Sequence, residues 1–474
     1  MSETNTYPMK KKVGLILGLC AFGILPFMGF AGLSPEGHIC LGIFAMAAIF
    51  WILEPIPIYA TSLAVILAQV LLLSDQSLVL DTLRRLNGGE YAAPKYQDFY
   101  ATLAHPILIL FLGGFSLAKA AEKYELDRNL TRILLRPFGT SPTRVALGVM
   151  VVTGVLSAFM SNTATTAMMM TVALPIVAKV PAEDPFRRLV ALAIPVGANI
   201  GGIATPIGTP PNAVAIAALS RHGTMIPFST WMMLATPLVA IALVLSWMGM
   251  CRMFKPGIER FELQIEGSFK TGPKAIGLYA IFALTVGLWV TEKLHGIPST
   301  VVAFLPMVLL PALGILDKRD IRSHAWEVLW LVAGGISLGL SLRGTGVAEW
   351  MIGQVAWDVV PRFTLVLLFA LVGFGVANLV SHTVSATILV PIAITMLAPE
   401  VASGNTAGLV IPIAVIGIIV SFAMILPIST PPNAIALSTG LIETRDLAKA
   451  GWLVGIVGIV FTLIFGLLVW PVML

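Results

Sequence analysis

Thr209-Pro210-Pro211-Asn212 recurs as Thr430-Pro431-Pro432-Asn433, an offset of 221 residues, and each copy sits inside a long stretch free of charge. Two further landmarks keep the same spacing. Gly113-Gly114 with Ser116 matches Gly334-Gly335 with Ser337 at 221, and Ser161-Asn162-Thr163 matches Ser381-His382-Thr383 at 220. A chance similarity would not hold its register over three separate landmarks, so the chain reads as two repeats.

The medium around these repeats follows from composition. Of 474 residues 57% are hydrophobic and only 11% charged, with a mean hydropathy of +0.93, so lipid rather than water is the solvent. Cys20, Cys40 and Cys251 are too few and too scattered for a disulfide framework or a metal site. The pI near 9.1 reflects loop charge, and no nucleic-acid motif accompanies it. The opening MSETNTYPMKKK is polar and the apolar run from Val13 to Leu33 lacks a small-residue cleavage site, so the start reads as a cytoplasmic tail and anchor.

Stretches at 13–31, 37–53, 57–74, 105–121, 229–249, 275–292, 298–316, 327–342 and 450–473 each suit one helical crossing. Four others, bounded by Arg144 and Lys179, Arg188 and Arg221, Arg362 and Glu400, and Glu400 and Glu443, are too long for the about 20 residues a straight span needs. Each carries a helix-breaking polar cluster: Ser161-Asn162-Thr163, Gly201 to Asn212, Ser381-His382-Thr383, and Pro427 to Asn433. Such breaks survive at membrane depth only against protein or a wet cavity, so the four clusters are expected to form one site.

Reading 145–178 and 363–398 as re-entrant hairpins, and 189–220 and 408–442 as broken spanning helices, gives eleven crossings. Of the 29 Lys and Arg, 21 then face the cytoplasm and 7 the outside, with Lys119 inside a helix, as the positive-inside rule requires. The N-terminus is expected inside and the C-terminus outside. The hairpins enter from opposite sides, so the repeats are inverted, the architecture of alternating-access carriers. The expected organisation is a tail and first helix (1–34), a first repeat (35–250), a cytoplasmic linker (251–274) and a second repeat (275–474), with 75–104 a surface insertion.

At a broken helix, free N–H groups attract anions and free C=O groups attract cations. No Arg or Lys lies in the four clusters, so an anion would be held by helix N-termini, hydroxyls and co-bound cations. Gly335-Ile336-Ser337-Leu338-Gly339 fits the G-x-S-x-G of hydrolases, but its repeat counterpart Gly114-Phe115-Ser116-Leu117-Ala118 argues for packing. No phosphate-binding loop for an ATP-driven pump occurs, and a channel does not need broken inverted repeats. Lys119, Glu122, Lys123 and Glu54 read as solvated or snorkelling groups, and Trp51, Trp326, Trp330 and Trp350 as interface anchors.

The Ser-Asn-Thr tip followed by ATTAMM, the GTPPNA break, FLGGFSLAKAAEKYEL and ILEPIPIYATSL resemble the divalent-anion:sodium symporter family, the INDY-type carriers of succinate, citrate and related anions. The resemblance covers essentially the whole chain and implies an all-α, eleven-helix homodimer in the bacterial inner membrane, working as an elevator. It implies sodium-coupled transport of C4-dicarboxylates such as succinate, malate or fumarate, or of 2-oxoglutarate. An obligate exchanger, or a sulfate or tricarboxylate carrier of the same fold, is the alternative. Substrate carboxylates would meet Ser161, Asn162, Thr163 and Thr209, and in the second half Ser381, His382, Thr383, Thr430 and Pro431. One sodium would be held by Ser157, Ser161, Asn162 and the Gly208 carbonyl, and a second by Val380, His382 and Ser429. The second half departs from the family pattern, with His382 where an Asn is expected and Ala377 where a hydroxyl residue is. His382 is thereby expected to stand in for a cation, as a charged imidazolium or a neutral donor.

Overall fold

The computed structural model describes residues 9–86, 91–261, 268–354, 361–397 and 404–474. Most of the expected tail, parts of the 75–104 insertion and the 251–274 linker, and the end of the second hairpin at 398 lie outside the described residues.

Three helices open the chain: α1 (Met9–Ile24), α2 (Pro35–Leu53) and α3 (Ile58–Leu73). The first repeat follows as α4 (Pro106–Lys123), α5 (Leu126–Leu135), the pair α6 (Pro142–Ser157) and α7 (Asn162–Val177), the pair α8 (Phe186–Gly201) and α9 (Pro210–Arg221), and α10 (Phe228–Met253). Helices α11 (Pro273–Val290) and α12 (Ser299–Ala312) lead into the second. That repeat runs α13 (Trp326–Gly344), α14 (Val347–Gly353), the pair α15 (Arg362–Leu379) and α16 (His382–Met396), the pair α17 (Thr406–Ile419) and α18 (Pro431–Ser438), and α19 (Thr444–Ile464). The element order of the first repeat is thus restated in the second.

Among the described residues seven helical spans are long and apolar enough to cross a membrane. Their burial separates inner from outer positions: the span Phe186–Ala204 is 89% buried, whereas Pro273–Val290 is only 28% buried although it is the more apolar of the two. Leu284, Val308, Leu67 and Ile456 stand exposed on such outer faces, a surface that only lipid would stabilise.

The paired glycines of the repeat set helix spacing. A Cβ at Gly113 would stand 2.6 Å from the Ala303 carbonyl oxygen of α12, and one at Gly334 would run into Ser62 of α3. Ser337, inside the hydrolase-like motif, donates its hydroxyl proton to the amide oxygen Gln69 Oε1 at 2.5 Å rather than to a histidine or carboxylate. It ties α13 to α3. Trp51 corrects an expectation: it is fully buried with Nε1–H donating to the Ile58 carbonyl, a core residue rather than an interface anchor. The 75–104 segment carries short helices at Leu80–Leu86 and Tyr96–Ala101 and is fastened by buried Phe99 and by Tyr91, whose hydroxyl donates to the Leu73 carbonyl at 2.5 Å.

Candidate functional site

The residues that break the helices converge. A cavity of about 320 Å³ is lined by Ser161, Asn162, Thr163, Gly208 and Thr209 from the first repeat and by Ser381, His382, Thr383, Ser429, Thr430 and Pro431 from the second. All nine expected substrate positions line it. Ser157 and Val380 lie behind the wall, buried at the ends of α6 and α15.

Which backbone groups are free for a ligand differs from the simple expectation for broken helices. Both half-helices that restart after a break, α9 and α18, open with two prolines, which have no N–H to offer. Carbonyls at the preceding ends are also taken. Asn212 Nδ2 donates to the carbonyls of Gly202, Ile203 and Thr205 at 3.1, 3.2 and 2.8 Å, and Asn433 Nδ2 to those of Met424 and Leu426 at 3.0 and 3.1 Å. The asparagine of each TPPN therefore seals its own break.

The free donors lie instead at the tips. Helix α7 starts at Asn162, and its first internal bond is from Thr165 N to the Ser161 carbonyl, so the N–H groups of Asn162, Thr163 and Ala164 point past the helix end. In α16 the Ser381 hydroxyl accepts from Val384 N at 3.3 Å, which leaves His382 and Thr383 as free N–H groups. Thr209 caps α9 in extended conformation without a side-chain cap bond, so its hydroxyl is available to the cavity. Thr430 spends its hydroxyl on Asn199 Oδ1 at 3.0 Å, tying the second break to α8.

Behind the first tip, one end of the Asn162 amide lies 2.6 Å from Ser157 Oγ, 3.0 Å from the Gly208 carbonyl oxygen and 3.3 Å from the Ala198 carbonyl oxygen. With nitrogen inward the amide donates to all three. That orientation satisfies the amide, and turning its oxygen inward would add a fourth uncharged oxygen to those of Ser157, Gly208 and Ala198, a donor set that suits a monovalent cation better than calcium or zinc, which recruit carboxylates, thiolates or imidazoles. Among the described residues no cluster of His, Cys, Asp and Glu could hold such a metal. Close approach is required here, since a Cβ at Gly202 would stand 2.5 Å from Asn162 Oδ1 and one at Gly208 would run into the Gly202 carbonyl.

Behind the second tip protein donors fill the equivalent space. His382 Nε2–H donates to the Ala423 carbonyl at 2.6 Å, Asn378 Oδ1 accepts from Ile425 N at 2.8 Å, and Ser429 Oγ donates to the Asn378 carbonyl at 3.1 Å.

On one side the cavity is lined by Ser323, His324 and Ala325 and by the half-exposed end of α4. At this rim lie Lys119, paired with Glu122 at 3.0 Å, and His324, whose Nε2 meets Ser116 Oγ at 3.2 Å. Lys123 bridges Asp317 and Asp320, and the backbone N–H groups of Arg319 and Asp320 hold the Asp317 carboxyl below its usual range. Lys119, Glu122, His324, Asn199, Asn378 and the Ala198 carbonyl were not expected at the site. A lone amide in an apolar helix was the available signal for Asn199 and Asn378; nothing in the spacing marks the others.

Two repeats that bring four chain breaks to one cavity, within a lipid-facing helical shell, define a membrane transporter fold. The chain belongs to the sodium:sulfate symporter family, whose transmembrane region matches residues 9–474. It is similar to the sodium-dependent dicarboxylate transporter SdcS of Staphylococcus saprophyticus, with 30% identity covering 99% of this chain and 94% of that one. The protein of the same name from Staphylococcus aureus (strain bovine RF122 / ET3-1) is 29% identical over 98% of this chain and 92% of its own. Among solved structures the YdaH transporter of Alcanivorax borkumensis superposes with a TM-score of 0.55 over 87% of this chain and 97% of that one, at 14% identity, a likeness of fold.

Proposed function

We propose that the protein carries small dicarboxylate dianions across the bacterial inner membrane together with sodium. The observation that carries this reading is the meeting of both tips in one cavity: free N–H groups and the hydroxyls of Ser161, Thr163, Thr209 and Thr383 face each other, and no Arg or Lys lies in either tip. Two opposed sets of donors suit a ligand with a carboxylate at each end. The family and the names of the SdcS relatives support the same substrate class and ion.

Sodium is assigned to Ser157, Asn162 and the Gly208 and Ala198 carbonyls, where it would offset part of the dianion's charge. Ser161 joins this set only through its place in the tip. The positions Val380, His382 and Ser429 are assigned no full second ion, because the oxygens there already accept protein donors: the Ala423 carbonyl from His382, the Asn378 carbonyl from Ser429 and Asn378 Oδ1 from Ile425 N. That difference favours a second reading, an exchanger with reduced sodium dependence.

Eleven crossings, two re-entrant hairpins, elevator movement and a homodimer belong to this proposal. Labelled succinate uptake into proteoliposomes, with and without a sodium gradient and with and without internal dicarboxylate, tests it. Sodium-driven net uptake is expected; uptake only against internal dicarboxylate selects exchange, and none under any condition rejects the substrate class. Cysteines near Lys10 and Lys318 labelled from the cytoplasm, and one after Leu474 labelled from outside, are expected from the charge bias.

A further inference from the structure

Helices α9 and α16 leave the site cavity at Thr209 and Thr383 and line a second cavity farther along, of about 460 Å³. Along α9 the distance from Thr209 to Arg221 is about 18 Å at the helical rise, so this second space lies toward the face opposite the site's rim. The charge distribution assigns that face to the outside.

Its chemistry differs from that of the site. Arg221, His222 and Arg343 line it with a single acid, Glu349, against apolar walls from Val214, Ile336 and Ile394. Arg221 Nη1 donates to the Ile336 carbonyl at 2.6 Å, leaving the rest of its donor fork to the cavity. The His222 ring is held by Nδ1–H to the Ala218 carbonyl at 2.9 Å. Neither arginine forms an ion pair among the described residues. Guanidinium groups beside a low-dielectric wall attract anions over some distance and grip carboxylates in a bidentate way.

We propose that this second cavity is a capture site for small carboxylate anions on the face opposite the site's mouth, with Arg343 and Arg221 as the binding groups. The identity of the anion as the transported dicarboxylate rests on the function proposed above; the cavity's preference for anions does not. Hydroxyls and N–H groups hold the anion at the tips, and the arginines gather it from solvent without a full cage, so the capture site binds weakly and releases readily.

A thiol reporter tests this without relying on transport. Gly339 lines the cavity, and a Cβ there meets nothing within 4 Å, so Gly339→Cys places a thiol in the space without a clash. Cys20→Ser and Cys251→Ser remove the two native thiols that are not buried. Reconstituted protein is treated with methanethiosulfonates of matched size, one bearing a sulfonate and one a quaternary ammonium. The sulfonate is expected to react about tenfold faster relative to free thiol, and less so at high salt. Arg343→Gln, a change at an exposed side chain, is expected to cut that preference at least threefold, Arg343→Lys to keep most of it, and succinate to slow the reaction. Equal rates for the two probes, or a preference indifferent to Arg343→Gln and Arg221→Gln, would overturn the proposal. Succinate uptake by the same vesicles separates the two readings: probe preference without any uptake refutes the transport assignment and leaves the anion site standing.

Discussion

The two helix breaks share a fold and differ in what fills them. Behind the first tip Gly202 and Gly208 let oxygens of Asn162, Ser157, Gly208 and Ala198 crowd together. Behind the second, the matched positions are Ala423 and Ser429, and an imidazole N–H, the Asn378 amide and a serine hydroxyl occupy the gap. A duplicated backbone can therefore carry different side-chain hydrogen bonds at its two breaks, and the proposed sodium site belongs to the first, whose oxygens a turn of the Asn162 amide would free.

The strongest way to break this comparison is to give the first half the second half's bulk. In Gly208→Ala the new methyl meets the Gly202 carbonyl, which is backbone and cannot swing away. Overpacking of this kind costs on the order of 3 kcal/mol, enough to reduce sodium affinity more than hundredfold. The reciprocal Ser429→Gly is expected to leave sodium affinity within about fivefold, since it removes one hydrogen bond, worth about 1 kcal/mol. Sodium titration of succinate uptake checks both; equal effects would show that the halves are equivalent.

Substrate contacts should be shared where the ion cages are not. Thr163→Ala and Thr383→Ala each remove a hydroxyl from the cavity wall. A hydrogen bond to a charged group is worth about 1.5–3 kcal/mol, so each variant is expected to weaken succinate binding at least about tenfold. Unchanged affinity in both would end the shared-site reading.

A smaller effect separates the cages again. Ser157→Ala removes one oxygen within 2.6 Å of the Asn162 amide and is expected to raise half-saturating sodium by about fivefold, near 1 kcal/mol. Its mirror image, Ala377→Ser, adds a hydroxyl to a half already satisfied and is expected to change nothing measurable in the same titration.

The repeat, the four breaks and the convergence of both tips were legible because they rest on local chemistry: prolines, small polar residues and missing charge stand out against an apolar chain. The source of the anion donors was not, because the argument from helix ends treated all four ends alike, while Pro210, Pro211, Pro431 and Pro432 carry no N–H and Asn212 and Asn433 occupy the carbonyls. Long-range pairings also escape a linear reading. Thr430 finds Asn199 across 231 residues and Ser116 finds His324 across 208, and no periodicity announces either. Trp51 misled for a related reason: tryptophan suits both membrane interfaces and cores, and only packing decides.

The finest test exchanges the two tip side chains' chemistry at one atom pair. A dianion at membrane depth needs compensating positive charge or donors, and the second half places Nε2–H of His382 on the Ala423 carbonyl where the first half has the Asn162 amide of the proposed sodium site. His382→Asn replaces that ring with the amide found at Asn162, opening oxygens toward a cation. Wild-type transport is expected to depend on sodium with a Hill coefficient of about one, and His382→Asn to steepen it toward about two with little change in maximal rate. A pH series on the same preparations assigns the ring's part. Anion affinity that strengthens as pH falls, and loses this trend in His382→Asn, places the compensating charge on the imidazole; a flat profile in both places the effect in the N–H bond alone. A wild-type Hill coefficient of two or more, unchanged in His382→Asn, would show that the second half holds an ion despite its filled geometry.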